Sequence, residues 1–189
     1  MVQLEVLVIG GLIYESDELI DAFSTSTLIR GGRKNIIVDT SSKWMRPGIK
    51  TSMKQIGILP KEVDMVILTH SHHDHIGNND MFTNAEIIIH SGGDAVQSAR
   101  VIDKDMEIEQ GVRLVHTPGH TMDSMSVLVR SDMTYAIAGD AVPRRRNLQE
   151  MIPPRHNVDE DMALKSIEFI RNNSDMVIPG HDRPFIVDK

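Results

Sequence analysis

The chain has 189 residues, a hydrophobic fraction of 40% and a formal net charge of −7 at pH 7. This length favours one domain, residues 1–189, with a core large enough to fold without cross-links. Cysteine is absent, which excludes disulfides, thiolate metal ligands and a cysteine nucleophile, and the negative charge disfavours nucleic-acid binding by the surface as a whole.

The N-terminal segment does not look like a targeting sequence. Residues 1–10 contain no lysine or arginine and are interrupted by Glu5, which is unlike a secretory signal peptide. No apolar stretch of the chain approaches the roughly 18 residues that a membrane span requires. We therefore expect a cytoplasmic protein without membrane contact.

The first third of the chain predicts three strands and one helix. The three apolar runs of strand length are residues 4–9, 26–29 and 36–38. Gly31–Gly32 predicts the turn between the last two runs, and the third run ends at Asp39. Residues 49–58 fit a helix that ends near Gly57.

The strongest pattern follows a fourth predicted strand, residues 66–69. His70, His72, Asp74 and His75 come directly after it. In an extended segment, residues two apart project to the same side, so the rings of His70 and His72 can bind one cation. Asp74 and His75 face another way and could hold a second cation, which would make the site dinuclear.

The remainder of the chain predicts six further elements. They are a short helix at 76–82, a strand at 87–89, a hairpin at 106–117, a strand pair at 125–140, a helix at 159–172 and a strand at 176–178. The helix at 159–172 has Asn157 or Asp159 as its N-terminal cap. Its apolar residues spaced for one face are Met162, Ile167 and Ile170.

Three more predicted strands lead to a metal-ligand residue through a turn that contains glycine. Residues 112–116 lead to His120, residues 135–138 to Asp140, and residues 176–178 to His181. Buried strands of layered α/β folds carry their sites at the carboxyl edge of the sheet. We therefore expect all of these side chains to meet at one rim.

The ordered set of ligand residues resembles the metallo-beta-lactamase superfamily of dinuclear hydrolases. His70, His72, Asp74 and His75 fit its His-x-His-x-Asp-His motif. The later motifs of the family are matched by His120, Asp140 and His181. The resemblance spans residues 39–181 and implies a four-layer αββα sandwich, of the α/β (α+β) class, with the metals at its edge.

The same resemblance implies a ligand set for two divalent metal ions. His70, His72 and His120 would bind one ion, Asp74, His75 and His181 would bind the other, and Asp140 with a hydroxide would bridge them. Imidazole and carboxylate ligands favour zinc, with iron and manganese as alternatives. Asp39 is expected to orient a ligand histidine, although it could instead cap the following turn.

The predicted site favours hydrolysis of a small ester, thioester, lactone or related acyl compound. Two divalent cations bring about four positive charges, and two carboxylates and a hydroxide remove about three, so the site attracts an oxygen-rich substrate. The bridging hydroxide would be the nucleophile. Asp140 or Asp74 is the predicted proton acceptor and hence the catalytic residue.

A loop predicted at residues 141–157 contains the basic cluster Arg144, Arg145 and Arg146. Because it follows Asp140, these arginines could bind an anionic small-molecule substrate. Equally, they could be solvated residues that contact no substrate.

Two alternative functions remain open from the sequence. A metal-dependent phosphodiesterase or ribonuclease could use the same metals on a short nucleic acid, although the net charge argues against it. A non-enzymatic metal-binding protein would need the same ligands but no open site. His90 and His116 also end apolar runs, and we expect them to pack and not to bind metal.

Overall fold

The computed structural model describes residues 2–188, so the two terminal residues of the predicted domain lie outside it. Its strands in chain order are β1 (Gln3–Val8), β2 (Gly11–Glu15), β3 (Glu18–Phe23), β4 (Ser26–Arg30), β5 (Ile36–Val38), β6 (Met65–Ile67), β7 (Glu86–His90), β8 (Ala99–Ile102), β9 (Met106–Glu109), β10 (Val112–His116), β11 (Met125–Arg130), β12 (Thr134–Gly139), β13 (Met176–Pro179) and β14 (Phe185–Ile186). The α-helices are α1 (Arg46–Gln55), α2 (His73–Ile76), α3 (Arg145–Gln149) and α4 (Glu160–Asn173).

The strands form two six-stranded sheets and a separate hairpin. The first sheet has the order β1-β4-β5-β6-β7-β8, the second has the order β14-β13-β12-β11-β10-β9, and β2 pairs with β3 alone. Helix α1 packs on the outer face of the first sheet through Ile49 and Met53, and α4 packs on the second through Ile167 and Ile170. This four-layer arrangement confirms the predicted αββα sandwich.

Strand β5 shows why the apolar runs are continuous. Ile36, Ile37 and Val38 are all fully buried. Ile36 and Val38 pack between the two sheets, whereas Ile37 packs under α1. A strand covered on both faces needs an apolar residue at every position, because successive side chains point to opposite faces.

Strand direction brings the predicted site to one edge. In the first sheet, β5, β6 and β7 run parallel. In the second sheet, β12 and β13 are parallel, and β10 runs in the same direction because both it and β12 are antiparallel to β11. The segments that follow β6, β10, β12 and β13 therefore leave the sandwich at one rim, which is the convergence that we predicted.

One helix prediction needs correction. The short helix expected at 76–82 is wrong, because the helical turn is α2, inside the ligand motif, and only a 3-10 turn at Asn79–Met81 follows it. Buried Asn78 explains the break. Its side-chain amide donates to the carbonyls of Thr40 and Ser42 at 2.8 and 2.9 Å, and such side-chain bonds compete with a regular helix.

Helix α4 matches its prediction more closely. Asp159 is the N-terminal cap, and its carboxylate accepts from the Met162 backbone N–H at 2.8 Å. The Met162 side chain, assigned from the sequence to the apolar face, is 37% exposed, and Ala163 takes the buried place beside Ile167. None of the helices in the described part of the chain combines the length and the apolar composition needed to cross a bilayer.

Gly119 fixes the turn that carries His120, and we expect Gly119→Ala to destabilise the protein. Its φ of 130° is a region that other residues rarely adopt. A methyl group there would lie 2.2 Å from the backbone nitrogen of Ala163 in α4, so the helix would have to move. We expect a loss of roughly 2–5 kcal/mol in the free energy of unfolding, measured by denaturant titration.

Gly57→Ala is the matched control for that substitution. Gly57 also has a positive φ, 73°, but nothing lies within 4 Å of a Cβ placed there. Its cost should be only the backbone strain of about 1 kcal/mol. Equal losses in the two variants would show that the contact with Ala163 does not hold the His120 turn.

Candidate metal centre

Three histidines form the first group of the centre. His70 Nε2 lies 2.9 Å from His72 Nδ1, and His72 Nδ1 lies 3.1 Å from His120 Nε2. His72 has extended backbone angles, φ −65° and ψ 146°, so the side chains of His70 and His72 project to the same side. The turn after β10 brings His120 to them.

Asp74, His75 and His181 form the second group. Helix α2 begins at His73, so Asp74 and His75 lie on one helical turn, and the centroid of the His75 ring is 4.0 Å from that of His70 in the first group. Asp74 Oδ2 lies 3.7 Å from His75 Nε2 and 3.4 Å from His181 Nε2. His181 reaches them from the turn that follows β13.

Asp140 lies between the two groups. Its Oδ2 is 3.5 Å from His120 Nε2 of the first group. Its Oδ1 is 3.5 Å from His75 Nε2 and 3.1 Å from His181 Nε2 of the second group. Oδ2 also lies 3.2 Å from His181 Nε2, so the carboxylate as a whole contacts both groups, a position from which it could bridge two ions.

The spacing of these ligand atoms suits divalent cations. A tetrahedral ion with ligand atoms at about 2.0–2.1 Å separates those atoms by roughly 3.3 Å, close to the distances within each group. His75 Nε2 and Asp140 Oδ1 are buried and have no hydrogen-bond partner among residues 2–188. Buried polar atoms are rarely left unpaired, and a cation between them would satisfy both.

The outward nitrogens of the histidines are held by acceptors. His75 Nδ1 lies 2.7 Å from Asp39 Oδ2, His120 Nδ1 lies 2.7 Å from the His156 carbonyl, and His181 Nδ1 lies 3.0 Å from the Phe23 carbonyl. When Nδ1–H donates outward, the lone pair of Nε2 faces the centre, as metal binding requires. The contributions of His156 and Phe23 were missed from the sequence because any residue type supplies a carbonyl.

Asp39 is connected to both groups. Its carboxylate accepts from His75 and also from the backbone N–H and the hydroxyl of Thr69, at 2.7 and 2.8 Å. The Thr69 hydroxyl oxygen in turn lies 3.2 Å from His70 Nδ1. Asp39 adopts φ 56°, a left-handed conformation that is uncommon outside glycine, and strain of this kind concentrates at functional sites.

His70 and His72 of the first group are deprotonated more readily than free histidine. Burial lowers the pKa of His70 well below its ordinary value, and neighbouring His75 lowers it further. Burial and the nearby His120 lower the pKa of His72. At neutral pH these two rings are therefore neutral and ready to bind a cation.

The second group behaves in the opposite way. Burial acts to lower the pKa of His75, but Asp39 and Asp140 outweigh it and raise that pKa well above 6.5. Burial is likewise outweighed at His181, whose pKa Asp140 raises. Burial would raise the pKa of Asp140, but His181 and His75 hold it well below its usual range.

We expect these shifts to make metal loading unequal with pH. Binding to the first group should displace no protons from His70 and His72 near neutral pH, whereas binding to the second group must displace protons from His75 and His181. Occupancy of the second group should therefore rise as the pH increases past about 6.5, the ordinary histidine value. The measurement is metal content per chain, by elemental analysis after dialysis against limiting zinc at each pH. Simultaneous loading of two ions at every pH would contradict this expectation.

A cavity of about 170 Å³ opens beside the centre. The hairpin β2–β3, which the sequence did not predict, forms one wall through Leu12, Tyr14 and Leu19, and Arg155 and His156 form another. A more open groove of about 600 Å³ adjoins the cavity and shares Leu19, Ala22 and Asp74 with it. Ile20 and Trp44, both exposed, line this groove.

The basic cluster lies outside both cavities. The Arg144 guanidinium carbon is 5.3 Å from the centroid of the Tyr14 ring, and that of Arg145 is 5.1 Å from the Phe185 ring. Arg146 pairs with Glu150 at 3.0 Å. The segment expected to be a loop also contains helix α3, which orients these arginines, and their contact with substrate stays a prediction.

His90 and His116 belong to neither group. Their rings stack with centroids 3.9 Å apart and planes inclined by 11°. His90 Nδ1 lies 2.9 Å from the Ser91 carbonyl, and His116 Nε2 lies 2.8 Å from the Met122 carbonyl. The pair packs at the ends of β7 and β10.

The chain is similar to known proteins over most of its length. Residues 19–95 match the family model of the metallo-beta-lactamase superfamily. A protein of Methanocaldococcus jannaschii named as a probable metallo-hydrolase is 40% identical over 185 residues, which cover 96% of this chain and 87% of that protein. The N-acyl homoserine lactonase of Bacillus cereus is 29% identical over 155 residues, which cover 71% of this chain and 62% of the lactonase.

Solved structures share the fold at lower identity. A Thermotoga maritima structure of the metallo-beta-lactamase type superimposes with a TM-score of 0.81 at 23% identity and covers 98% of this chain and 99% of its own. A dizinc quorum-quenching lactonase, solved with a product bound, superimposes with a TM-score of 0.69 at 15% identity, covering 89% and 75% of the two chains.

Proposed function

The chain belongs to the metallo-beta-lactamase superfamily and is a metal-dependent hydrolase, and from this premise we propose that it uses two divalent cations, zinc in the first instance, to hydrolyse a small ester, thioester or lactone. The observation that carries the proposal is the position of Asp140, whose carboxylate lies within 3.5 Å of ligand nitrogens of both groups. A bridged pair of ions beside an open cavity suits catalysis better than metal storage, since a storage site needs no access for substrate.

The cations, when bound, would polarise the substrate carbonyl and make a water molecule acidic enough to supply a nucleophile near neutral pH. The chain itself orients the ligands: Asp39, Thr69 and the two carbonyls that accept from His120 and His181 hold the imidazoles in place. Asp74, on the cavity wall and partly exposed, is placed to accept a proton at a carboxylate oxygen as the acyl carbon is attacked.

The groove indicates where an acyl group would lie. Its apolar walls, Leu19, Ile20 and Trp44, adjoin the metal centre through Asp74. Burying apolar carbons of a substrate there would contribute to binding in proportion to the area covered. The relatives named as N-acyl homoserine lactonases support a lactone or ester as the reacting group.

Elemental analysis of purified protein, coupled to a substrate panel, tests the proposal. The panel contains short esters, a thioester, a lactone, a phosphodiester and a short RNA, each assayed with metal-loaded and chelator-stripped protein. We expect two metal ions per chain and hydrolysis of acyl substrates that stops on stripping and returns with zinc. Cleavage of the phosphodiester or RNA alone would contradict the acyl hydrolase function and indicate a phosphodiesterase or ribonuclease. Full metal loading without hydrolysis of any compound would indicate a metal-binding protein.

A further inference from the structure

Arg155 carries the one lysine or arginine side chain among the described residues that line the 170 Å³ cavity. The same cavity is lined by the metal-centre residues His72, Asp74, His120, Asp140 and His181. When the reacting carbonyl of a substrate lies at the metal centre, the rest of that substrate in the cavity therefore lies either beside Arg155 or on the opposite side. This makes Arg155 a residue that can distinguish between substrates of different charge.

The guanidinium of Arg155 has no partner. Within residues 2–188 it makes no hydrogen bond, ion pair or ring contact, whereas Arg144, Arg145 and Arg146 each have one. Neither Asp74 nor Asp140 lies within ion-pair distance of it. Its five N–H donors thus remain available to an anion in the cavity.

The backbone that carries Arg155 is held on both sides. Asn157 donates its side-chain amide to the Pro154 carbonyl at 2.8 Å, and the His156 carbonyl accepts from His120 at 2.7 Å. Asn147 donates to the Pro153 carbonyl at 3.1 Å. The two prolines also restrict the local φ angles. An arginine on such an anchored segment loses less conformational freedom on binding than one on a mobile loop.

We propose that Arg155 binds an anionic group of the substrate, such as a carboxylate, while the acyl carbon lies at the metal centre. The inference rests on the proposed acyl hydrolase function and narrows its substrate class to short anionic esters, thioesters or lactones. The guanidinium fork matches a carboxylate in two parallel hydrogen bonds. The cavity is smaller than the roughly 300–1,000 Å³ of ordinary ligand sites, so only a few bonds can separate the anionic group from the reacting carbonyl.

The test uses zinc-loaded protein and a series of short acetoxy carboxylates, each paired with its own carboxamide. The two members of a pair have the same size and the same acyl group and differ only in charge. We expect kcat/KM for at least one carboxylate to exceed that of its carboxamide by about tenfold or more, the contribution typical of a charge-assisted contact. Arg155→Ala should abolish this preference, chiefly through KM, and Arg155→Lys should retain part of it.

Arg100→Ala is the control for the change in net charge. Arg100 lies on β8, pairs with Glu86 at 3.2 Å and lines neither cavity, so this variant should keep the preference of the parent. Parent protein that hydrolyses the carboxamides equally well would overturn the role of Arg155 and leave the acyl hydrolase function standing. If Arg155→Ala still prefers the carboxylate to the carboxamide, the proposed role of Arg155 is also overturned, because the metal ions alone would then account for the preference. Failure to hydrolyse either member of every pair, together with a negative ester panel, would remove both proposals.

Discussion

Asp140→Ala is expected to lower kcat/KM by about a thousandfold or more and to reduce the metal content below two ions per chain. The carboxylate faces both ligand groups, and in the metal-free protein it also interacts with His75 and His181. Removing it takes a ligand from each ion at once. A metal ion supplies several kcal/mol of transition-state stabilisation, and each 1.4 kcal/mol corresponds to a factor of ten in rate.

The measurement combines steady-state kinetics on an ester with elemental analysis of the same sample. Circular dichroism should show a folded protein, since Asp140 follows strand β12 and its side chain takes no part in the apolar core. Asp132→Ala is the matched control, because this exposed aspartate lies in the turn between β11 and β12 and accepts a hydrogen bond from the Tyr135 hydroxyl at 3.0 Å. Parent-level turnover in Asp140→Ala would show that no bridging carboxylate is needed.

Asp39→Asn is expected to weaken metal binding by about 10–100-fold, the usual cost of losing a partner that orients a metal ligand. Asparagine tolerates the left-handed backbone at this position, so the variant changes the charge with little change in backbone geometry. Asp39→Ala should cost stability as well. It would leave His75 Nδ1 and the backbone N–H of Thr69 buried without acceptors, at about 1–3 kcal/mol for each group.

The stability difference between the parent and Asp39→Asn should depend on pH in the metal-free state. The folded-state pKa of His75 is raised, because Asp39 and Asp140 outweigh the effect of burial. Protonation of the His75 ring therefore stabilises the folded protein. This contribution is complete below the unfolded-state pKa of about 6.5 and is lost as the pH rises through the higher folded-state pKa. The two proteins should therefore differ most at low pH.

Denaturant titrations of both stripped proteins across this range, with metal titration at one fixed pH, provide the measurements. Asp64→Asn is the control, since this exposed aspartate accepts from the Asn35 backbone N–H at 2.8 Å and precedes β6, at the opposite end of that strand from the ligands. If Asp39→Asn binds zinc as tightly as the parent does, Asp39 caps a turn and has no role in orienting His75.

Local signals in the sequence were enough for ten of the twelve strands of the sandwich; the edge strands β8 and β14 were not predicted. Continuous apolar runs such as 36–38 identify strands covered on both faces, because burial of each side requires apolar residues at odd and even positions alike. The hairpin β2–β3 gave no such signal. Six of its eleven strand residues are exposed, namely Ile13, Tyr14, Glu15, Glu18, Ile20 and Asp21. The hairpin packs as a wall of the cavity and not into the core.

The amino-acid sequence by itself determined which side chains can bind the cations, because histidine and aspartate are chemically distinctive and each follows a strand that is recognisable from its neighbours. Only the tertiary structure decided what surrounds them. The carbonyls that orient His120 and His181 carry no residue-type signal, and Arg155 lies at the cavity while Arg144, Arg145 and Arg146 contact other surfaces. These contacts join segments as far apart in the sequence as Phe23 and His181. The packing of the whole sandwich brings such segments together, and no local sequence pattern does so.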